Sequence, residues 1–111
     1  VDDPRKQVQR ITREDTGRWW ITTVGSSHLL DLDEMTFVRM TRCDGTSGTM
    51  RWDGQKRDLL EISILPVVGR SFAVVLHNPE LDAPEGKLGV TVRRSSQIQT
   101  IEYLGNRGTD E

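Results

Sequence analysis

The sequence predicts an all-β domain, an antiparallel meander of about seven to eight short strands closing into a small barrel or sandwich. Three observations predict it. Apolar and polar residues alternate with period two in several short runs, so each run can bury one face and wet the other. The runs are separated by clusters of Gly, Pro, Asn, Asp and Ser at short spacing, which makes neighbouring strands pair antiparallel. No segment has the length or spacing of a core helix.

Along the chain, residues 1–16 carry mixed charge with Val8 and Ile11 as spaced apolar positions, and are expected to form an exposed N-terminal arm with one helical turn between Arg5 and Arg13. A strand is expected over 18–24, where Trp20, Thr22 and Val24 alternate with Trp19, Ile21 and Thr23. After Gly25-Ser26-Ser27, a second covers 28–33, with Leu30 and Leu32 against Asp31 and Asp33. Beyond Glu34-Met35, a third covers 36–42, with Val38 and Met40 against Phe37 and Arg39. Strands at 49–53 and 57–65 flank Asp53-Gly54, a hairpin signal because such turns need positive φ at Gly.

In the second half, Leu60, Ile62 and Ile64 share one face opposite Glu61 and Ser63. The strand at 70–77 is apolar on both faces around Phe72, Val74 and Leu76, and is therefore expected to be the most buried. Residues 78–86, with two prolines, form the longest loop. The strand at 87–94 sets Leu88, Val90 and Val92 against Thr91 and Arg93. The last, at 98–103, has Ile98 and Ile101 three apart, which calls for a bulge or a turn of helix near Gln99. The expected organisation is an arm at 1–16, one domain at 17–104 and a flexible tail at 105–111.

At 111 residues the chain has room for one domain, and a hydrophobic fraction of 34% predicts a thin core. A formal net charge of −2 does not announce a nucleic-acid binder, although 12 of the 15 positive residues are arginine. Cys43 is the single cysteine, so no intramolecular disulfide forms and a reducing, cytoplasmic setting is expected, or a virion if the chain is phage-encoded. No long apolar run or signal-peptide pattern is present, and no membrane partner is expected.

Chemistry-bearing patterns are weak. The run Leu29-Leu30-Asp31-Leu32-Asp33 resembles the nucleophile strand of haloacid-dehalogenase-type phosphotransferases. Thr36 comes three residues after the second aspartate where that family has two, and the alternating strands and helices of that fold are missing. The two aspartates therefore read as a polar face leading into a hairpin turn. His28, His77 and Cys43 lack ligand-like spacing, so the two histidines read as ordinary, partly exposed ones, and the loop at Asp44-Gly45 lacks the acidic ladder of a calcium site. Arg42 is the one sequence neighbour that would lower the Cys43 pKa, and Ser26, Ser27, Ser95 and Ser96 have no G-x-S-x-G context. No catalytic residue, metal or cofactor is expected, and an enzyme of unknown class ranks third.

Binding is the better-supported class. Arg51, Trp52, Lys56 and Arg57 place an indole among three cations on one hairpin, with Arg93-Arg94 as a further basic pair. Small β-barrels bind single-stranded nucleic acid with such groups. Against it stand the net acidity, only six aromatic residues, and Asp53 and Asp58 in the same hairpin. Trp19 and Trp20 point to opposite faces unless a bulge intervenes, so one indole builds the core and the other is covered or anchors a partner. The expected function is a non-catalytic protein-interaction or structural module whose partner is another protein or a second copy. Candidate contacts are Trp19, Trp20, Arg51, Trp52, Lys56 and Arg57. Single-stranded nucleic-acid binding is the alternative.

The order Trp20-x-Thr-Thr-x-Gly-Ser-Ser-His-Leu-Leu-Asp-Leu-Asp-x-x-Thr-x-x-Arg39, then Leu-Leu-x-Ile-x-x-Leu at 59–65, Val-Gly-Arg-Ser at 68–71 and Thr-Val-Arg-Arg-Ser-Ser-x-Ile-x-x-Ile at 91–101, resembles small uncharacterised all-β proteins of actinobacteria and their phages. The resemblance spans about residues 18–103 and rests on turn and strand signatures, so it implies a fold and no particular chemistry. A phage or mobile-element origin would imply a structural or host-interaction role.

Overall fold

A computed structural model describes residues 6–41 and 54–105. They form eight strands: β1 (Lys6–Val8), β2 (Arg18–Thr23), β3 (Ser26–Asp31), β4 (Thr36–Thr41), β5 (Arg57–Ile64), β6 (Ala73–His77), β7 (Val90–Arg94) and β8 (Ile98–Gly105). All pair antiparallel in one sheet of order β1-β8-β2-β3-β4-β5-β6-β7. The one helical element among the described residues is a 3-10 turn, Pro79–Leu81, inside the long loop. The all-β antiparallel expectation holds, and β2 to β7 run as a meander. The expected strand at 49–53 lies outside the described residues, as do Cys43 and the segments 1–5 and 106–111.

The sheet is open, with β1 and β7 as its edges, so closure into a barrel is not what forms. It is nonetheless strongly bent. Three residues, 95–97, carry the chain from β7 at one end of the sheet to β8 beside β2. Such a connection spans roughly 14 Å at full extension, so the two ends of the sheet must curl toward each other. The Val24 amide donates to the Gln97 carbonyl, Ser95 to Phe72, and Gly69 and Ile98 exchange bonds with the partner segment (Gly69 N to Ile98 O, Ile98 N to Arg70 O), which holds the curl. Ile21, Leu30, Phe37, Leu59, Phe72, Val74, Leu76, Ile98 and Ile101 share the resulting core.

Period-two patterning gives the inner face of β2, where Trp19, Ile21 and Thr23 are buried. Trp19 is therefore the core indole; its Nε1 donates to the Thr16 carbonyl at 3.1 Å and its ring packs on Tyr103. The expected break at Gly25-Ser26-Ser27 is tighter than that, because Ser26 and Ser27 already belong to β3. Gln99 is the extra residue in β8, opposite the step from Thr22 to Thr23, so the expected bulge is present and no helix forms. β6 is largely buried, as its doubly apolar sequence required.

Two strands depart from the alternation read in the sequence. In β5, register shifts around Leu60 and Ser63 turn Leu59 and Ile62 inward and leave Leu60 and Ile64 exposed. A bulge accommodates two residues where the partner has one, which reverses the phase of the side chains beyond it. In β7, Val90 and Val92 point away from the core, while Thr91 and Arg93 take the inner side. Within the stretch expected as an arm, Lys6–Val8 pairs with β8, and Ile11 is buried with its amide bonded to the Pro66 carbonyl.

Candidate functional site

β3 begins at Ser26, so its inner face carries Ser26, His28 and Leu30. His28 is consequently buried at 3% exposure, which corrects its reading as a partly exposed histidine. Its ring stacks on Phe37 with centroids 5.3 Å apart and meets the edge of Phe72 at 5.2 Å. Nε2 shares a hydrogen bond of 3.0 Å with Ser26 Oγ. A buried imidazole needs such partners, because an unsatisfied polar group costs about 1–3 kcal/mol.

Thr23 anchors this arrangement. Its fully buried hydroxyl donates to the Ser26 carbonyl at 3.0 Å and accepts from the Ser26 amide at 3.1 Å and Ser96 Oγ at 2.9 Å. Ser95 Oγ accepts from the Phe72 amide and donates to the Ser96 carbonyl. The β2–β3 turn and the β7–β8 connection are thereby tied by short hydroxyl side chains, and the position of β7 relative to β3 is set.

Between them lies a cleft of about 140 Å³. His28, Phe37 and Phe72 make its aromatic floor, and Arg39, Arg93, Arg94 and Ser95 its rim, with Val92 alongside. Arg39 enters because it pairs with His28 across the β3–β4 ladder, and Arg93 because it occupies the inner phase of β7. β4 pairs with β5 through Thr36 and Phe37, and beyond them the Gly54 amide donates to the Arg39 carbonyl. Arg94 Nε donates to Ser71 Oγ at 3.3 Å. None of the described residues lining the cleft is acidic. A cavity near 150 Å³ accommodates one benzene-sized group, so this one suits a single flat or anionic group.

Next to the cleft, β7 is the open edge, and its outer face exposes Val90 by 43% and Val92 by 61%. On the same face of β6, His77 lies beside Val90, Val75 beside Val92 and the buried Ala73 beside Arg94, so the two exposed valines stand between an imidazole and a guanidinium.

The residues singled out in the sequence do not assemble here. Trp19 is core. Trp20 is half-buried on the outer face, between Leu29 and Glu102 of the adjacent strands. Lys56 pairs with Glu34 at 2.9 Å, and Arg57 Nη2 donates to the His77 carbonyl; together they line a separate shallow depression. Arg51 and Trp52 lie outside the described residues. Asp31 Oδ1 accepts the Asp33 and Glu34 amides, and Asp33 Oδ1 accepts the Gly17 amide, so the Asp-x-Asp run shapes a hairpin. His77 Nε2 donates to Asp82 at 3.1 Å, and the described residues contain no His, Cys, Asp and Glu cluster able to hold a metal. The Gly89 amide, and after it His77, holds the Asp82 carboxyl below its ordinary range. The sequence carries only fragments of the cleft: Arg39 shares the phase of Phe37, and Arg93 opposes Val92.

The fold and cleft define the class, a small single-sheet all-β domain with an uncovered apolar edge. Comparison with protein-family models, curated proteins and solved structures returns no match, so the site must be read from its own chemistry. No helix among the described residues is long and apolar enough to cross a membrane.

Proposed function

We propose that this protein is a non-catalytic protein-interaction module that docks a partner, another protein or a second copy, along β7. The exposure of Val90 and Val92 on an edge strand carries the reading. An edge presents unpaired backbone donors and acceptors, and natural sheets blunt theirs with bulges, prolines or charge. β7 pairs with β6 without a register shift and contains no proline, and its charge is confined to Arg93 and Arg94 at one end. An apolar strip on such an edge suits strand addition, in which backbone bonds supply affinity and alternate side chains supply specificity. A phage or mobile-element origin, as the sequence resemblance implies, is consistent with this role.

Selection of a random peptide library on the immobilised protein tests it, alongside sedimentation velocity over a concentration series. Enriched peptides, or a dimer, that are lost in Val92→Lys and retained in Lys87→Gln support the edge. Peptides that bind Val92→Lys equally well, or a strict monomer that enriches nothing, overturn it.

The alternative of single-stranded nucleic-acid binding draws on the three guanidinium groups beside two phenylalanines. Strand binders use successive stacking platforms along a basic groove, whereas the cleft has room for one group. Retardation of an oligonucleotide at low salt would favour it.

A further inference from the structure

We infer that the segment docking on β7 is an extended acidic one, and that it places a carboxylate side chain in the cleft ringed by Arg39, Arg93 and Arg94. The inference rests on the reading of β7 as a docking strand and names the chemistry of what docks. A strand added to β7 continues its pleat, so its residues alternate between the outer face and the inner side. Outer positions fall beside Val90 and Val92 and favour apolar side chains. Inner positions fall beside Thr91 and Arg93, where the cleft opens. Size and charge then select the inner residue. The cleft holds about 140 Å³, enough for one side chain, and three arginine guanidinium groups stand at its rim. A guanidinium matches a carboxylate through two parallel hydrogen bonds, a geometry that lysine ammonium does not reproduce. The aromatic floor of His28, Phe37 and Phe72 covers the methylene portion of a glutamate and lowers the local dielectric. Apolar residues alternating with glutamate are therefore the partner signature.

Fluorescence anisotropy on the full chain tests this with three labelled peptides of equal length, alternating valine with glutamate, glutamine or lysine. The glutamate peptide should bind at least about tenfold tighter than the glutamine peptide, as expected for hydrogen bonds to charged groups. The difference should shrink with added salt and in Arg93→Gln, and should persist in Lys87→Gln, a variant outside the cleft. Circular dichroism confirms that Arg93→Gln retains the sheet, and the salt series stands without any variant. Equal binding of the glutamate and glutamine peptides overturns the carboxylate inference and leaves the docking edge intact. Binding of none of the three also overturns it, and the edge is then judged on the library selection alone. An oligothymidylate that displaces the glutamate peptide at equal charge assigns the cleft to nucleic acid and overturns it as well.

Discussion

The two halves of this sheet are built from similarly alternating sequences and bury them differently. In β2, β3 and β8, the apolar phase faces the core, with Ile21, Leu30 and Ile101 fully buried. In β5 and β7, apolar residues of the same size, Leu60, Ile64, Val90 and Val92, face outward. The first half has neighbours on both sides of each central strand and residues facing it across the bend. The second ends at an edge, where the inner phase of β7 is given over to Thr91 and Arg93. Exposed apolar side chains on an edge gain little in folding, and the docking proposal rests on them.

The sharpest way to break this comparison is to truncate one apolar residue from each face. Phe72→Ala should cost about 3–5 kcal/mol, because the buried ring packs edge-on against both His28 and Phe37. Val92→Ala should change stability by no more than about 0.5 kcal/mol, as exposed sites do. Urea unfolding measures both, and comparable losses would mean that Val92 is packed after all.

Two substitutions of intermediate size probe the halves separately. Gly89→Ala places a Cβ 2.5 Å from the Asn78 carbonyl oxygen and from the Leu81 backbone, so the loop ahead of β7 must shift. A loss of about 1–3 kcal/mol is expected in thermal denaturation. Thr23→Val removes the hydroxyl that serves Ser26 and Ser96, and should cost about 1–3 kcal/mol by stranding their partners. If Gly89→Ala proves neutral, the loop before β7 is looser than its packing indicates.

Met35 closes the β3–β4 hairpin at φ 58°, a left-handed conformation that disfavours a side chain like methionine's. Its carbonyl accepts from the Leu59 amide, so the turn also positions β5. Met35→Asn should raise the unfolding free energy measured in urea by up to about 1 kcal/mol; a loss would show that the methionine side chain stabilises more than its backbone costs.

The smallest effect concerns pH. Asp82 accepts the Gly89 amide at 2.7 Å and pairs with His77, and its carboxyl is lowered mainly by that amide. A carboxyl depressed in the folded state stabilises above its unfolded pKa, and the contribution is lost as pH falls through the lower, folded value. The Gly89 amide chemical shift should therefore titrate with a midpoint below the ordinary aspartate range, and stop titrating in Asp82→Asn. A midpoint at or above that range would show that the Gly89 amide does not hold the Asp82 carboxylate.

Much of the fold was legible. The strands at β2, β4, β5 and β8, the all-antiparallel pairing and the bulge at Gln99 follow from alternation, turn residues and an irregular Ile98–Ile101 spacing. The site was not. Trp52 and Arg51 stand out because an aromatic among cations is a local signal, whereas the cleft is assembled from β3, β4, β7 and Phe72 just ahead of β6, and no window of sequence contains it. His28 was misplaced for a related reason. A strand start moved by two residues sets His28 in phase with Leu30, and a lone histidine near a turn carries no mark of burial.

By itself the sequence determined that this is a small antiparallel β protein and, outside the bulged β5, which residues share a face, since period and turn chemistry are local properties of the chain. Only the tertiary structure decided which face is inside. It showed that Trp19 rather than Trp20 builds the core, that the β5 bulge turns Leu60 outward, and that β7 keeps its valines in solvent. The reason is physical: alternation defines two faces and labels neither, and the label comes from what lies across the bend.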